Sequence, residues 1–134
     1  MRAVLLPALM MFAGVSSAQE HGANTLLVVP DTNYPWAAAQ LGAATGDDVV
    51  YHEGTLLQAL ASAQAGKAGG VLEIKLDSGA AWETGRVVCY APNGKKRWEE
   101  KVFFNFGGSA ERVARMFADK LEKKISGKRC VQDQ

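Results

Sequence analysis

The chain contains few of the residue types that build covalent, redox or metal-dependent active sites. Its 134 residues include two cysteines and two histidines. The sequence has no Cys-x-x-Cys pair, no Gly-x-Ser-x-Gly nucleophile motif, no P-loop and no dinucleotide-binding glycine pattern. These absences exclude the enzyme classes that such motifs define, and we expect a protein that is not an enzyme.

Long apolar runs are also absent. The apolar run within residues 4–15 is about twelve residues long, whereas a membrane-spanning helix needs about 20. The run follows Arg2 and precedes Ser16-Ser17-Ala18, which together form a secretory signal peptide. We therefore predict cleavage after Ala18 and a periplasmic or secreted protein, which argues against nucleic acid as a partner. Position 19 is Gln, not Cys, so we expect no lipid anchor.

The remaining chain has the length of one domain. No internal repeat, linker or low-complexity segment divides it. The expected organisation is a signal peptide at 1–18, a flexible N-terminus at 19–24 and a single α/β domain at 25–130.

Charge is balanced in the mature chain but unevenly placed. Residues 19–94 carry three basic and eight acidic residues, while residues 95–129 carry eleven basic and five acidic residues. A basic segment of an exported protein favours contact with an envelope protein or an anionic polymer. The residues predicted for this surface are Lys95, Lys96, Arg97, Lys123 and Lys124. The alternative is that they form only the solvated faces of one strand and one helix.

Both cysteines, Cys89 and Cys130, lie in the mature chain. Export favours a disulfide between them, which we expect to close a loop of roughly forty residues and contribute about 4 kcal/mol. The alternative is a buried Cys89 and a free Cys130.

Hydrophobic periodicity predicts the order strand, helix, strand, helix in the first half of the chain. These elements are expected at Thr25–Val29, Trp36–Ala44, Val49–His52 and Thr55–Ala65. In the second half, alternation predicts strands at Val71–Leu76, Arg86–Ala91 and Arg97–Phe106, the last two joined by an Asn-Gly turn. A long amphipathic helix follows, with Ser109 as its N-cap and a stripe that contains Phe117 and Leu121.

This order predicts an α+β two-layer sandwich. We expect a mostly antiparallel sheet with its helices on one face, closed by the C-terminal helix. The segments VLEIKLDSGAAWETGRVVCYAPNGKKRWEEKV and SAERVARMFADKLEKKI resemble the C-terminal half of a bacterial envelope domain. That domain is shared by the curli-secretion protein CsgG, the N-terminal domain of TolB and the lipoprotein activators of penicillin-binding proteins. The resemblance implies an envelope setting and binding or assembly, and it identifies no site residue.

The predicted new N-terminus, Gln19-Glu20-His21, is a candidate metal site. A free amine, two backbone amides and the imidazole of a third residue form the square-planar nitrogen set that suits Cu(II). Cyclisation of Gln19 would remove the amine. A copper-binding protein is therefore one alternative to the binding module.

A second cluster of titratable residues consists of Asp47, Asp48, His52 and Glu53. Such residues hold metals or perform acid–base chemistry in small hydrolases. Their spacing matches no known ligand motif. They are more simply explained as the end of a loop before Val49 and the residues that precede the helix near Thr55. The glycines before Ser109 offer backbone N–H groups to an anion or, more simply, permit a sharp turn.

Tryptophan supplies the last candidates. Trp98 falls on the apolar face of its strand and is expected in the core. Trp36 follows a proline, and Trp82 is expected in a loop between two strands. We predict these two as surface residues that stack on a carbohydrate or peptide.

Overall fold

The computed structural model describes residues 22–77, 83–104 and 108–131, except for the side chain of Phe104. Five strands form one sheet: β1 (Thr25–Val29), β2 (Asp48–Tyr51), β3 (Gly70–Asp77), β4 (Glu83–Tyr90) and β5 (Lys96–Phe104). Three α-helices accompany them: α1 (Ala37–Ala44), α2 (Leu56–Ser62), which continues into a π-turn at Ala63–Lys67, and α3 (Ala110–Ile125). Each of these eight elements overlaps the element predicted at its place in the chain.

The strands are ordered β2-β1-β3-β4-β5. β1 pairs in parallel with both β2 and β3, and the pairs β3–β4 and β4–β5 are antiparallel. More residues pair antiparallel than parallel, so the predicted fold class with its mostly antiparallel sheet is confirmed. The parallel pairs arise because α1 and α2 each form the crossover between two strands that run in the same direction.

The helices lie on both faces of the sheet, so the expectation of helices on one face alone is wrong for α2. The α1 and α3 helices pack against one face, where Leu26 and Leu72 point. The other face of β1 presents Leu27 and Val29, which pack with Ala59 of α2. Both sides of β1 are apolar, as expected for a strand buried on two faces, and the second apolar side requires a helix of its own.

The main core lies between α3 and strands β3 to β5. Phe117 is its largest fully buried side chain, and it sits directly over Gly85 of β4. A Cβ atom added to Gly85 would lie 2.8 Å from both Cβ and Cγ of Phe117 and 3.2 Å from Cδ1 of Leu121. Helix α3 thus approaches the sheet more closely than any side chain at position 85 permits.

We expect Gly85→Ala to destabilise the domain. The added methyl group must displace α3 or force Phe117 from its rotamer, at a cost of about 1–3 kcal/mol. Urea unfolding followed by circular dichroism measures the loss. Equal stability of Gly85→Ala and the parent would contradict this packing.

The start and the buried face of α3 follow the sequence prediction. The Ser109 side chain accepts a hydrogen bond from the backbone N–H of Arg112 at 3.2 Å, which confirms it as the N-cap. The apolar stripe is buried and includes Val113, Phe117 and Leu121. The opposite side of the helix is exposed and carries most of its lysines.

The C-terminal tail, residues 128–131, folds back over the end of the sheet where β1 and β3 begin. A disulfide joins Cys89 of β4 to Cys130, which confirms the predicted pair. The Asp47 side chain is fully buried, and its Oδ2 accepts hydrogen bonds from the backbone N–H groups of Cys130 at 2.6 Å and Val131 at 3.2 Å. Its Oδ1 pairs with Arg129. One carboxylate therefore fixes three consecutive tail residues.

Gly69 lies where the two ends of the described chain meet. A Cβ atom there would overlap the carbonyl oxygen of Ala23 and would lie 2.9 Å from Cγ1 of Val131. The backbone N–H of Gly69 donates to the carbonyl oxygen of Thr25 at 2.8 Å. Residue 69 must be glycine because both chain ends pack on its Cα.

Candidate functional site

The β4–β5 turn and the C-terminal end of α3 lie at the same end of the domain. Trp98 of β5 donates from Nε1 to the carbonyl oxygen of Arg129 at 3.1 Å, and Lys128 pairs with Glu100 at 2.6 Å. These contacts tie the tail after α3 to the start of β5. We call the exposed cations here, Lys95, Lys96, Lys123 and Lys124, the basic end.

The members of the predicted basic surface have different environments. Lys95, Lys123 and Lys124 are exposed and form no ion pair within the described part of the chain. Lys96 pairs with Glu99 at 2.8 Å. Arg97 donates to the carbonyl oxygens of Gly69 at 3.0 Å and Cys130 at 2.5 Å. Arg97 is therefore a structural residue that binds backbone, and the exposed basic surface has fewer members than the sequence predicted.

The Lys96 ammonium lowers the pKa of Glu99 from its usual 4.5, mainly through their hydrogen bond. A carboxyl whose pKa is lowered by folding stabilises the fold above its unfolded-state pKa and loses that contribution as pH falls through its folded-state pKa. We expect a carboxyl titration of Glu99 by NMR to give a pKa below 4.5 and Lys96→Gln to raise it. An unchanged Glu99 pKa in Lys96→Gln would show that the ion pair does not persist in solution.

The predicted acid–base cluster is divided between the two ends of β2. Asp47 and Asp48 lie where β2 begins, while His52 and Glu53 follow its last residue, Tyr51. Asp47 is engaged with the tail, and no group of three or more potential metal ligands comes together within the described ranges. The joint site predicted for these four residues is therefore wrong, because a strand holds its two halves apart.

A mainly apolar cleft of about 700 Å³ opens where β1 and β2 end. It is lined by Trp36, Tyr51, His52 and Glu53, among others. Trp36 is half-buried, with the Arg115 guanidinium 4.4 Å from its ring centroid and Tyr34 edge-on at 6.2 Å. Nε2 of His52 is buried and has no hydrogen-bond partner in the described part of the protein. Trp36, one of the two tryptophans predicted to stack on a ligand, thus lines a cleft.

A second, more polar groove of about 940 Å³ lies on the face of the sheet that carries α2. Lys75, Arg86 and Lys101 line it, together with Phe103, whose surface is 69% exposed. Glu73 on the same face is buried, and the Tyr90 hydroxyl donates to it at 3.4 Å. Burial and this carboxylate raise the pKa of Tyr90. The groove is not visible in the sequence because its lining residues come from six separate segments.

Several predicted site residues lie outside the described residues. These are Gln19, Glu20 and His21 of the copper hypothesis, and Trp82 of the stacking hypothesis. Trp98 is half-buried against the main core, close to its predicted place. No helix in the described ranges is long and apolar enough to cross a membrane.

Comparison with known proteins identifies no family. No family model and no curated protein matches the sequence. Among solved structures, a dodecameric PelC variant from Paraburkholderia phytofirmans is similar at 17% identity, covering 81% of this chain and 91% of that chain, with a TM-score of 0.49. The lipoprotein GNA1162 from Neisseria meningitidis is similar at 18% identity, covering 76% and 96%, with a TM-score of 0.43. No function follows from likeness at this level, and the resemblance to the CsgG and TolB group stays a prediction.

Proposed function

We propose that the protein is an exported, non-enzymatic domain that binds an anionic polymer or an acidic envelope protein through its basic end. Export is supported by the predicted signal peptide and by the Cys89–Cys130 bond, since disulfides persist in oxidising compartments. The observation that carries the binding proposal is the unpaired state of Lys95, Lys123 and Lys124 at one end of the domain, within the residues described.

Retention of the processed protein on a polygalacturonate resin tests this proposal. Lys95→Glu/Lys124→Glu is expected to elute at a clearly lower salt concentration than the parent, because exposed charges act over about one Debye length. Arg112→Glu/Lys120→Glu is the matched control. It also changes the net charge by four units and reverses exposed cations of the first three turns of α3.

Equal loss of retention in both double variants would contradict the proposal. It would mean that net charge alone governs the interaction. If Lys95→Glu/Lys124→Glu is retained as strongly as the parent, the basic end is not the contact surface.

Copper binding at the processed N-terminus is a second candidate, supported by the position of His21 three residues after the predicted cleavage site. A visible Cu(II) d–d band that disappears in His21→Ala is expected if this site forms. A mature N-terminus found by mass spectrometry as pyroglutamate would exclude it.

A further inference from the structure

We infer that three cations in register across the uncovered part of the sheet form a second anion-binding site, which takes an acidic polysaccharide. Lys75 of β3 is directly opposite Arg86 of β4, and Arg86 is directly opposite Lys101 of β5. All three side chains line the 940 Å³ groove. We call these residues the cation row.

The cation row is unfavourable for the isolated domain. Directly opposed residues in antiparallel strands have Cβ atoms about 4.5–5.5 Å apart, and like charges at these positions destabilise a sheet. Two such pairs share one central arginine here. A ligand that supplies negative charge to the row would relieve this repulsion.

Neighbouring carboxylates neutralise the row only in part. Asp31, Glu73 and Asp77 also line the groove, but Asp31 accepts from the backbone N–H of Leu76 and Glu73 accepts from the Tyr90 hydroxyl. Glu99 lies 3.8 Å from Arg86 and 3.9 Å from Lys101, beyond hydrogen-bond distance. Its short contact, 2.8 Å, is to Lys96 outside the row. Lys75 forms no ion pair with any residue that the structure describes. The guanidinium and both ammonium groups therefore keep donors for a ligand.

The surface around the row is open and suits a charged ligand better than an apolar one. Helix α2 packs over β1 and the start of β3, where Leu27 and Val71 form a small apolar cluster with it. The side chains of Arg86 and Lys101 are 43% and 51% exposed. A protein partner with an apolar face would have to desolvate these charges at high cost.

The spacing of the row favours a chain with one negative charge per ring. Adjacent strands are separated by about 4.8 Å, which is comparable to the advance of a polysaccharide by one sugar unit. A carboxylate accepts paired hydrogen bonds from a guanidinium, and Arg86 is at the centre. Phe103 lies two residues beyond Lys101 on the same face and offers an exposed ring for a sugar to pack on. Polyuronates combine these features.

Oligogalacturonates of one, two and three units, titrated into the processed, disulfide-bonded protein by calorimetry, test the site. Affinity should rise with each carboxylate and fall with added salt. Arg86→Gln should weaken binding of the trimer at least about tenfold, since a hydrogen bond to a charged group is lost. Phe103→Ala should weaken it by up to about tenfold. Lys120→Gln, an exposed lysine of α3 outside both the row and the basic end, should bind the trimer as the parent does.

Folding and binding are separated by a second measurement. Because Arg86→Gln removes repulsion within the row, its thermal midpoint should equal or exceed that of the parent. A lower midpoint together with weaker binding would assign Arg86 a structural role and overturn the inference. So would unchanged trimer affinity in both Arg86→Gln and Lys101→Gln.

The inference uses the ligand class of the proposed function but does not depend on its surface. If the basic-end variants lose polymer retention while the cation-row variants bind trimer normally, the proposed function stands and this inference fails. If only the cation-row variants lose binding, this inference stands and the proposed function fails. Binding of phosphatidylglycerol vesicles without any binding of oligogalacturonate would overturn the assignment of a polysaccharide ligand.

Discussion

Reduction of the Cys89–Cys130 bond is expected to lower the free energy of unfolding by about 4 kcal/mol. The bond spans 41 positions of sequence, so its loss restores considerable freedom to the unfolded chain. Reduction also releases a tail whose Cys130 is fully buried. Urea unfolding with and without reductant measures the change.

The double variant Cys89→Ala/Cys130→Ala provides the control for reduction. It should unfold at about the same urea concentration as the reduced parent and should not respond to reductant. If reduction leaves the unfolding midpoint of the parent unchanged, the bond does not form in the folded protein.

Asp47→Ala is expected to destabilise the domain by about 2–4 kcal/mol, since each buried hydrogen-bond donor left without an acceptor costs about 1–3 kcal/mol. The substitution leaves two backbone N–H donors of the tail, those of Cys130 and Val131, without their acceptor. Arg129 loses its carboxylate as well. Chemical denaturation of the oxidised protein isolates this effect from that of the disulfide.

Asp48→Ala is the matched control for Asp47→Ala. Asp48 is the adjacent carboxylate in the sequence but is exposed, and its loss should change stability by no more than about 0.5 kcal/mol. Equal effects of the two substitutions would contradict the anchoring role of Asp47.

The elements of this fold were predictable because local patterns determine them. Alternation in Val71–Leu76, the Asn-Gly turn and the capping serine of α3 each depend on residues close in sequence. The side of the sheet on which α2 packs was not predictable in this way. The run Leu26-Leu27-Val28-Val29 is apolar throughout, so it shows that β1 is buried without showing which helix covers which face.

The candidate sites were less predictable than the fold. Lys95 and Lys96 were visible as a charge cluster because they are consecutive, but their sequence neighbour Arg97 proved to bind backbone. Lys75 and Arg86 are separated by eleven positions and become neighbours only through strand register. Strand register depends on which residues face the core across the whole sheet. It cannot be predicted from the positions of charged residues along the chain.

The meeting of both chain ends at Gly69 has a consequence for how the domain can be attached to other structures. Ala23 and Val131 pack on the same residue, so segments before and after the domain leave it from one small area. A tether or a fused protein at either terminus would therefore cover only this area of the domain. The groove with the cation row lies towards the opposite end of the sheet, and would face outward from any surface that held the protein by its termini. Because its ends adjoin, the domain is also suited to circular permutation with a short connecting loop.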